Sequence, residues 1–342
     1  MQYDALLIVS FGGPESKEEV IPFLENVLRE RNVPRERMLD VAEHYYHFDG
    51  KSPINQQNRE LIAALQLELD RHGPKLPIYW GNRNWHPLLT DALRQMKADG
   101  VRRALAFVTS AYSSYSGCRQ YRENIATAQA TIGSGAPEID KLRVFYNHPG
   151  FIEPMIERAR EALMRLAPDI RLRAHVAYTA HSIPSSMSAT CNYGQQLEEA
   201  CRLVSDGLGR SGDRLVFQSR SGPATQPWLE PDILSYLREI NKSNAASAVV
   251  IAPIGFISDH MEVLYDLDTE AAQLCEELKL PMVRAGTVGA HPRFVAMIRE
   301  LIVERMTEQP VRIALGNLGV NHDVCPADCC PAPQRVATAP RP

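Results

Sequence analysis

The sequence predicts an α/β protein made of two similar halves, each with a four-stranded parallel sheet flanked by helices. Eight short apolar runs recur along the 342 residues, with helical patterns between them. The runs are continuous rather than alternating, which indicates strands buried on both faces, as in parallel sheets. Helices between such strands supply the crossovers that parallel pairing requires. Eight strands are many for one small open sheet, but they suit two sheets of four.

Boundary residues separate these runs and set the order of the elements. Ser16 precedes the helical pattern KEEVIPFLENVLRER with Glu19 three residues later, which predicts a capping box. Gly150 opens the pattern FIEPMIERAREALMRLA after a strand and a turn. The predicted strands are ALLIVS (5–10), PIYWG (77–81), ALAFVTS (104–110), RVFYN (143–147), AHVAYTA (174–180), LVFQS (215–219), AVVIAPI (248–254) and MVRAG (282–286).

The chain is predicted to divide into two domains and a tail. Residues 1–140 form the first α/β domain and residues 141–290 the second, with the loop TIGSGAPE near the boundary. Residues 291–320 contain a last helix that we expect to pack back on the first domain. Residues 321–342 are rich in proline and have no apolar periodicity, so this tail cannot order itself unless something pins it.

Composition excludes several classes of protein. Hydrophobic residues make up 44% and charged residues 23%, as in ordinary soluble globular proteins. The net charge of −4 gives no basic field to hold nucleic acid, so we expect no nucleic-acid partner. No basic flank of a secretory signal is present, and no apolar stretch reaches the about 20 residues of a transmembrane helix. We expect a cytoplasmic protein whose seven cysteines are thiols or metal ligands.

The residues that follow the predicted strands are the candidate functional residues. In open parallel sheets, ligands bind beyond the carboxyl ends of the strands. These positions carry SFGGPE, SAYSSYSGCRQY, HSIP, RSGP and GFISDHMEV. SFGGPE lacks both nucleotide-binding glycine patterns, and Pro14 removes an amide that a phosphate cradle would use. A glycine-assisted turn that lets the backbone approach a flat ligand is the better interpretation.

An acidic segment, DHMEVLYDLDTE (259–270), follows the seventh run and carries five carboxylates and one histidine. At helical spacing Glu262, Asp266 and Glu270 share one face, and each like-charged pair costs about 0.2–0.5 kcal/mol. A solvated face near the positive end of the helix dipole explains the first turn, but not Asp266 and Glu270. His181 alone is weak evidence, because a strand-end histidine is often bonded to a loop. Together, His181 and the carboxylates suit the handling of a divalent cation and of protons.

Several long segments resemble the signature segments of the ferrochelatase family, whose members insert ferrous iron into a porphyrin. The resemblance runs from about residue 4 to 306, with consistent spacing, and implies two Rossmann-like domains of chelatase type, with a porphyrin cleft between them, and a lyase-type metal chelatase of heme biosynthesis. It rests on LLIVSFGGPES, GKSPIN, TAHSIP, FQSRSGPATQPWLEP and PIGFISDHMEVLYDLD.

The resemblance also implies roles for single residues. His181 and Glu262 would be catalytic and would bind the Fe²⁺ substrate, with His181 accepting pyrrole protons, while Asp266 and Glu270 would extend a path for metal or protons. Ser52 and Tyr121 match positions that hold porphyrin carboxylates, and Arg29 or Arg31 adds charge pairing. The rings of Phe11, Tyr112, Tyr115 and Trp228 would grip the macrocycle, although core packing is an alternative role for them.

The substrate is expected to be coproporphyrin III, giving coproheme for a possible downstream coproheme-accepting enzyme. The cleft mouth is polar, with Arg29, Arg31, His44, His47, Lys51 and Ser52, which suits a substrate with four carboxylates. SFGGPE and GNRNWHP resemble the coproporphyrin-type enzymes of actinobacteria. Phe11 stands where some bacterial members have an iron-ligating tyrosine, which leaves the proximal iron ligand open. The alternatives are a protoporphyrin IX ferrochelatase and a non-catalytic tetrapyrrole or iron–sulfur sensor.

The tail carries Cys325, Cys329 and Cys330. A [2Fe–2S] cluster takes four thiolates, and ferrochelatases that hold one use three tail cysteines and one from the body, which implies Cys118 here. The alternatives are zinc, with His322 as a further ligand, or no metal. The remaining cysteines are expected to be structural: Cys191, Cys201 and Cys275.

Overall fold

The protein contains two four-stranded parallel sheets, as predicted. A computed structural model describes residues 2–29, 33–222 and 225–333. The strand orders are β2-β1-β3-β4 and β6-β5-β7-β8, the same arrangement in both sheets, and all pairs are parallel. The strands are β1 (Ala5–Ser10), β2 (Ile78–Asn82), β3 (Arg103–Val108), β4 (Glu138–Lys141), β5 (Ala174–His181), β6 (Arg214–Gln218), β7 (Ala248–Ala252) and β8 (Met282–Arg284).

Helices connect the strands and cover both sheets. Two π-helices interrupt the α-helical pattern, at Tyr115–Arg119 and at Leu264–Ala271, which we call the first and second π-helix. The α-helices are α1 (Lys17–Val27), α2 (Arg35–Tyr46), α3 (Ile54–His72), α4 (Leu89–Ala98), α5 (Gln120–Ile132), α6 (Pro149–Met164), α7 (Pro168–Arg171), α8 (Ser185–Ser188), α9 (Tyr193–Leu208), α10 (Ile233–Lys242), α11 (Met261–Val263), α12 (Ala272–Glu277) and α13 (Pro292–Met306).

The prediction for the fourth strand was wrong in position. Residues 143–147 are buried but lie outside any strand, and β4 is the preceding segment EIDK. The apolar run is buried because its rings fill the core, where Phe145 stacks on Phe107 at 5.2 Å between centroids. β4 is polar because it is an edge strand that pairs only with β3. Burial alone therefore does not identify a strand.

The predicted capping box at Ser16 is also replaced by a different bond. Ser16 is the N-cap residue of α1, but its side chain makes no capping hydrogen bond. The Glu19 carboxylate instead accepts a hydrogen bond from the backbone N–H of Glu15, at 2.8 Å. At α6 the predicted start is observed, and His148 caps it by accepting from the backbone N–H of Gly150 at 3.1 Å.

A single hydrophobic core joins the two sheets. Its buried members include Leu6 and Phe107 of the first sheet and Val176 and Val250 of the second. The last helix, α13, packs against both α3 and α6, and a buried ion pair ties it to the chain after β4. In that pair Arg143 Nε lies 2.7 Å from Glu304 Oε1. The division at residues 140, 290 and 320 stays a prediction.

One buried hydrogen bond connects the carboxyl ends of the two sheets. Tyr112 follows β3, is 2% exposed, and donates its hydroxyl to the backbone carbonyl of Ile254, which follows β7, at 2.9 Å. This position corrects the expectation that Tyr112 forms part of the porphyrin-gripping wall, because its ring is packed in the core. Tyr115 instead lies in the first π-helix and donates to Glu123 at 3.0 Å.

The chain after α13 is held by polar contacts with the body. Asn147 donates to the carbonyls of Leu315 and Gly319, at 3.2 and 2.8 Å. Arg312 pairs with Glu304 at 3.1 Å and with Asp323 at 3.2 Å. These bonds hold the segment against the body as far as residue 323.

Replacing Tyr112 by phenylalanine should lower the free energy of unfolding by about 1–3 kcal/mol, because the buried Ile254 carbonyl loses its donor. Urea denaturation measures this change. Tyr79→Phe is the matched control, since it removes a solvent-exposed bond to Asp99 and should cost no more than about 0.5 kcal/mol. Equal losses in the two variants would contradict the role given to the Tyr112 bond.

Candidate active site

His181 and Glu262 meet where the second sheet ends. His181 is the last residue of β5, and Glu262 lies in α11, which follows β7 after a short loop. Because neighbouring parallel strands end at the same edge, the two side chains are brought together. His181 Nε2 lies 3.6 Å from Glu262 Oε1, and the side chains are 32% and 48% exposed. The pair is therefore accessible to a ligand.

His181 and Glu262 each stabilise the charged form of the other. Burial disfavours the charged imidazole, but the charge and hydrogen bond of Glu262, the Ser182 carbonyl and the charge of Asp266 together outweigh it and raise the pKa of His181 to about 9. Burial also disfavours the charged carboxylate, but His181 outweighs it and lowers the pKa of Glu262 to about 2. At neutral pH, the resting site therefore holds an imidazolium beside a carboxylate.

A second histidine, which the sequence reasoning missed as a site residue, contacts the same carboxylate. His260 Nδ1 lies 3.9 Å from Glu262 Oε2. Burial lowers the pKa of His260, and the neighbouring His181 charge adds to this, although Glu262 acts in the opposite direction. Two imidazoles with opposite pKa shifts thus flank Glu262, which is the pattern of an acid and a base in one site. Its place in DHMEV, two residues before Glu262, was the available signal.

The acidic segment continues in the second π-helix rather than in the single α-helix that the sequence predicted. A π-helix closes wider, i→i+5 turns and is often found at functional sites. Within this helix, the Asp266 carboxylate accepts a hydrogen bond from the Ser219 hydroxyl. It accepts a second one from the Gln218 side-chain amide, at 3.2 Å. Burial raises the pKa of Asp266 to about 7, and the charges of Glu262 and Glu270 add to this. The negative charges of Glu262 and Glu270 therefore make Asp266 harder to ionise.

Two of the residues that hold this arrangement were also missed. Gln218, the last residue of β6, additionally donates to the carbonyl of Glu262 at 3.0 Å. Ser219 has a φ of 61°, which is uncommon for a residue other than glycine. This backbone turn aims the hydroxyl at Asp266. A strained residue at such a contact is typical of functional sites.

On the first domain, Phe11 and Arg83 follow the ends of β1 and β2. Phe11 is 36% exposed, and the Arg83 guanidinium lies 5.7 Å from its ring centroid. Arg83 also covers the ring of Tyr121 at 4.8 Å, and Tyr121 itself is buried. Arg83 Nε is buried and has no hydrogen-bond partner among the described residues. Arg83 is thus a hydrogen-bond donor that the sequence analysis did not identify, although it lies in the segment GNRNWHP.

Aromatic contacts lead from Phe11 through Phe23 to Tyr45, which lies near Glu262. Phe11 lies edge-on to Phe23, at 6.3 Å between centroids, and Phe23 is edge-on to Tyr45 at 5.7 Å. Burial raises the pKa of Tyr45, and Glu262 is near enough to add to this. The end of the first sheet and the carboxylate of the second domain therefore border the same region.

Ser52 and Trp228 each pack against a glycine. Ser52 is buried, and a Cβ on Gly13 would lie 2.7 Å from the Ser52 Cβ. A Cβ on Gly222 would lie 2.5 Å from the Trp228 ring. Trp228 forms a β-bridge with Pro184, three residues after His181. Its buried Nε1 has no hydrogen-bond partner within the described residues.

Only part of the predicted polar mouth of the cleft lies within the described residues. Arg29 is exposed and donates to Asn26 at 2.5 Å, while Arg31 lies outside the described residues. His44 of α2 stacks on Tyr265 of the second π-helix, with the ring centroids 3.6 Å apart and an interplanar angle of 8°. His47 meets the same ring edge-on, at 6.4 Å. α2 therefore contacts the acidic segment directly.

The tail cysteines lie against the body cysteine that the resemblance implied. A hydrogen bond with Cys325 lowers the pKa of Cys118 to about 5, although burial opposes this shift, and Lys141 and Arg122 add to it. Cys329 Sγ lies 3.6 Å from Cys330 Sγ. Arg119 holds this turn by donating to the carbonyls of Ala327 and Cys329, at 3.2 and 3.3 Å. All seven cysteines are free thiols.

His322 offers a further donor at the same place. Its Nε2 lies 3.9 Å from Cys329 Sγ, and ligand atoms of His322, Cys325 and Cys329 all lie within 4.8 Å of one another. Five donor side chains thus gather at the tail, one more than a tetrahedral or [2Fe–2S] site needs. Cys201 and Cys275 are buried elsewhere in the core.

The fold is shared with metal chelatases. Sirohydrochlorin chelatase SirB from Bacillus subtilis subspecies spizizenii, solved with cobalt, superposes with a TM-score of 0.52 at 10% identity, covering 89% of this chain and 95% of its own. A second structure, SirB from Bacillus subtilis with Fe³⁺, gives a TM-score of 0.57 at 12% identity, covering 89% and 98%. The architecture is therefore that of the α/β chelatases.

The chain belongs to the ferrochelatase family. The family model described as Ferrochelatase matches residues 3–306. A ferrochelatase of Rhodopirellula baltica is 58% identical over 96% of this chain and 93% of its own length. Coproporphyrin III ferrochelatases of Streptomyces coelicolor and Nocardia farcinica are 51% and 45% identical, over 99% and 100% of this chain and 95% and 100% of their own. Within the described residues, no helix is long and apolar enough to cross a membrane.

Replacing Glu262 by glutamine should lower the pKa of His181 from about 9 to about 6.5 or below. The amide carries no negative charge to stabilise the imidazolium, while the burial that disfavours the charge remains. Titration of the imidazole protons by NMR measures the shift. Glu270→Gln is the control and should leave His181 unchanged. A His181 that titrates identically in Glu262→Gln and the parent protein would refute the pairing.

Proposed function

We propose that the protein inserts Fe²⁺ into coproporphyrin III and releases Fe-coproporphyrin III, called coproheme. The observation that carries this proposal is the accessible His181–Glu262 pair, with a carboxylate row behind it. An imidazole and a carboxylate both bind first-row divalent ions and both transfer protons near neutral pH. The choice of porphyrin is supported by the relatives that carry the name coproporphyrin III ferrochelatase.

The insertion step exchanges one Fe²⁺ for two pyrrolic protons. His181 must be neutral to accept a proton, yet Glu262 keeps it charged in the resting site. An Fe²⁺ ion that reaches Glu262 neutralises the carboxylate and repels the imidazolium, so His181 releases its proton to solvent or to Asp266 and becomes neutral. Metal arrival thereby prepares the base that the porphyrin needs, and His260, with its lowered pKa, is a second acceptor for a proton.

Asp266 and Glu270 extend this site in our proposal. The pKa of Asp266, raised by burial to about 7, lets its carboxyl group take up and release protons near neutral pH. Gln218 and Ser219 hold the group in place. The row therefore serves either as the exit for protons or as the route by which a hydrated cation approaches.

For the porphyrin, we assign binding to Phe11, Trp228, Ser52 and Tyr121, with charge pairing from Arg29 or Arg31. Phe11 and Trp228 offer ring faces, while Ser52 and Tyr121 hold substrate carboxylates in this proposal. Arg83 joins this group because its buried Nε lacks a partner within the described part of the chain. A guanidinium pairs well with a carboxylate, and coproporphyrin III carries four of them.

We propose a [2Fe–2S] cluster held by Cys118, Cys325, Cys329 and Cys330. The donor set fits, because four thiols gather at the tail and two of them are already in contact at 3.6 Å. Buried Cys330 has its pKa raised by burial and by Cys329, and Cys118 adds to this. A bound cluster would supply one-electron redox chemistry. The proposed insertion step does not pass through it.

A zinc ion is the competing occupant of this tail site. The observation in its favour is the close group of His322, Cys325 and Cys329, since zinc readily takes mixed histidine and cysteine ligands. The two occupants differ in whether they need His322.

The remaining parts of the proposal concern the setting of the reaction. We place the protein in the cytoplasm. We also expect a downstream enzyme that accepts coproheme, because coproheme differs from heme in its carboxylates. We keep the division into domains 1–140 and 141–290, with residues 291–320 packed back on the first through α3, although α13 also contacts α6 of the second, and with residues 321–342 as a tail.

Anaerobic Fe²⁺ insertion, followed by porphyrin absorbance, tests the function. We expect turnover of coproporphyrin III and little of protoporphyrin IX, because the mouth favours the more anionic substrate. His181→Ala should lower the rate by about 100- to 10,000-fold, the range of general-base catalysis, while porphyrin still binds. His175→Gln, at the other end of β5, is the matched control. Binding without insertion in the parent protein would instead support a sensor.

Iron and acid-labile sulfide content of anaerobically purified protein tests the tail site. Cys325→Ser should abolish the cluster and its visible absorbance, because it removes one of four thiolates, whereas Cys275→Ala should not. His322→Ala distinguishes the occupants, since a four-thiolate cluster keeps its spectrum and a zinc site loses its metal. Zinc without sulfide in the parent protein would reject the cluster.

A further inference from the structure

The five carboxylates of the acidic segment fall into two groups. Arg284, the last residue of β8, contacts two of them at once. Its Nε lies 2.5 Å from Asp268 Oδ1, and its Nη1 lies 3.1 Å from Asp259 Oδ1. Asp259 precedes α11, and Asp268 lies in the second π-helix. One guanidinium therefore braces the segment near both of its ends.

These contacts are sheltered from water. The side chains of Arg284 and Asp259 are 18% and 21% exposed, and that of Asp268 is 32% exposed. Asp259 is also held from the first domain, because its backbone N–H donates to Gln57 Oε1 at 2.9 Å. Charge-assisted bonds in such a setting are stronger than surface ion pairs, and a planar fork can serve two acceptors together.

The other three carboxylates have no such partner in the part of the chain that the structure describes. Glu262, Asp266 and Glu270 form no ion pair with a lysine or arginine of the described residues. Glu262 contacts histidines, and Asp266 contacts Ser219 and Gln218. Within the described residues, Asp259 and Asp268 are thus paired with an arginine, whereas Glu262, Asp266 and Glu270 are not.

We propose that Arg284 is a positioning residue for metal insertion. By binding Asp259 and Asp268 it removes these two carboxylates from cation binding and holds the acidic segment so that Glu262 faces His181. This inference rests on the proposed function and deepens it, because it separates the carboxylates available to a divalent cation from those that only support the segment.

Loss of Arg284 would change the segment in two ways. Asp259 and Asp268 would become unpaired acids next to the row, able to bind a divalent cation away from His181. The second π-helix would also lose one of the side-chain contacts that tie it to the second sheet, while the Gln218–Asp266 bond would remain. Small displacements of catalytic groups lower rates strongly, by up to about 100-fold per 1 Å.

The test compares R284Q with R284K, D268N/R284Q and the matched control R214Q, which breaks an ion pair with Glu239 elsewhere in the second domain. Calorimetry without porphyrin counts the Co²⁺ ions bound, and insertion kinetics give kcat and separate KM values for metal and porphyrin. Thermal unfolding gives the folded fraction, to which all rates are normalised.

We expect R284Q to bind an additional Co²⁺ and to lose on the order of tenfold or more in kcat, with the porphyrin KM unchanged. R284K should restore the Co²⁺ count, since the charge is kept, but only part of the rate, since the fork is lost. D268N/R284Q should lose the additional Co²⁺ again. R214Q should behave like the parent protein.

An unchanged Co²⁺ count in R284Q, or a loss of rate matched in R214Q, would overturn the proposal. A porphyrin KM that rises as steeply as kcat falls would do the same, because it would indicate general distortion. If the parent protein inserts no metal into any porphyrin, the proposed function fails, whereas the Co²⁺ counts still decide whether Arg284 keeps Asp259 and Asp268 from binding cations.

Discussion

The two parallel sheets share one buried core, and their carboxyl ends are joined by the hydrogen bond from Tyr112 to Ile254. Protein interiors are packed as densely as crystals, so the sheets cannot shift against each other without opening the core. The side chains at these ends therefore stand on rigid elements. His181 is part of a strand, Gln218 ends the next, and Phe11 directly follows a third. This rigidity is what a site needs to hold a metal and a flat ring in a defined relation.

Charge within the site is distributed by local contacts rather than by overall composition. Two histidines flank Glu262, and their pKa values shift in opposite directions because one is paired with the carboxylate more closely than the other. Among the carboxylates, Arg284 neutralises Asp259 and Asp268. The chain can thus carry five acids in twelve residues because only three of them remain unpaired with arginine or lysine in the described residues. The repulsion noted in the sequence is offset by a residue that is distant in the chain.

The number of strands, their division into two parallel sheets and the proximity of His181 to Glu262 could be predicted because they depend on local pattern and on family motifs. RVFYN was mistaken for a strand because aromatic burial looks the same in a strand and in a core-filling loop. The second π-helix was missed because its bond pattern depends on contacts such as that of Asp266 with Ser219. Arg83, His260 and Arg284 gained their roles only through partners far away in sequence. Tertiary partners of this kind leave no periodic signal.

The proposed metal site in the tail and the contacts that hold the tail on the body involve different residues. Hydrogen bonds of Asn147 and ion pairs of Arg312 hold residues 311–323 on the body. These contacts place the cysteines that follow close to Cys118. Single substitutions of these thiols would therefore leave the backbone in position. The proposed metal centre and the His181–Glu262 pair therefore depend on different parts of the chain, and a change in one need not disturb the other.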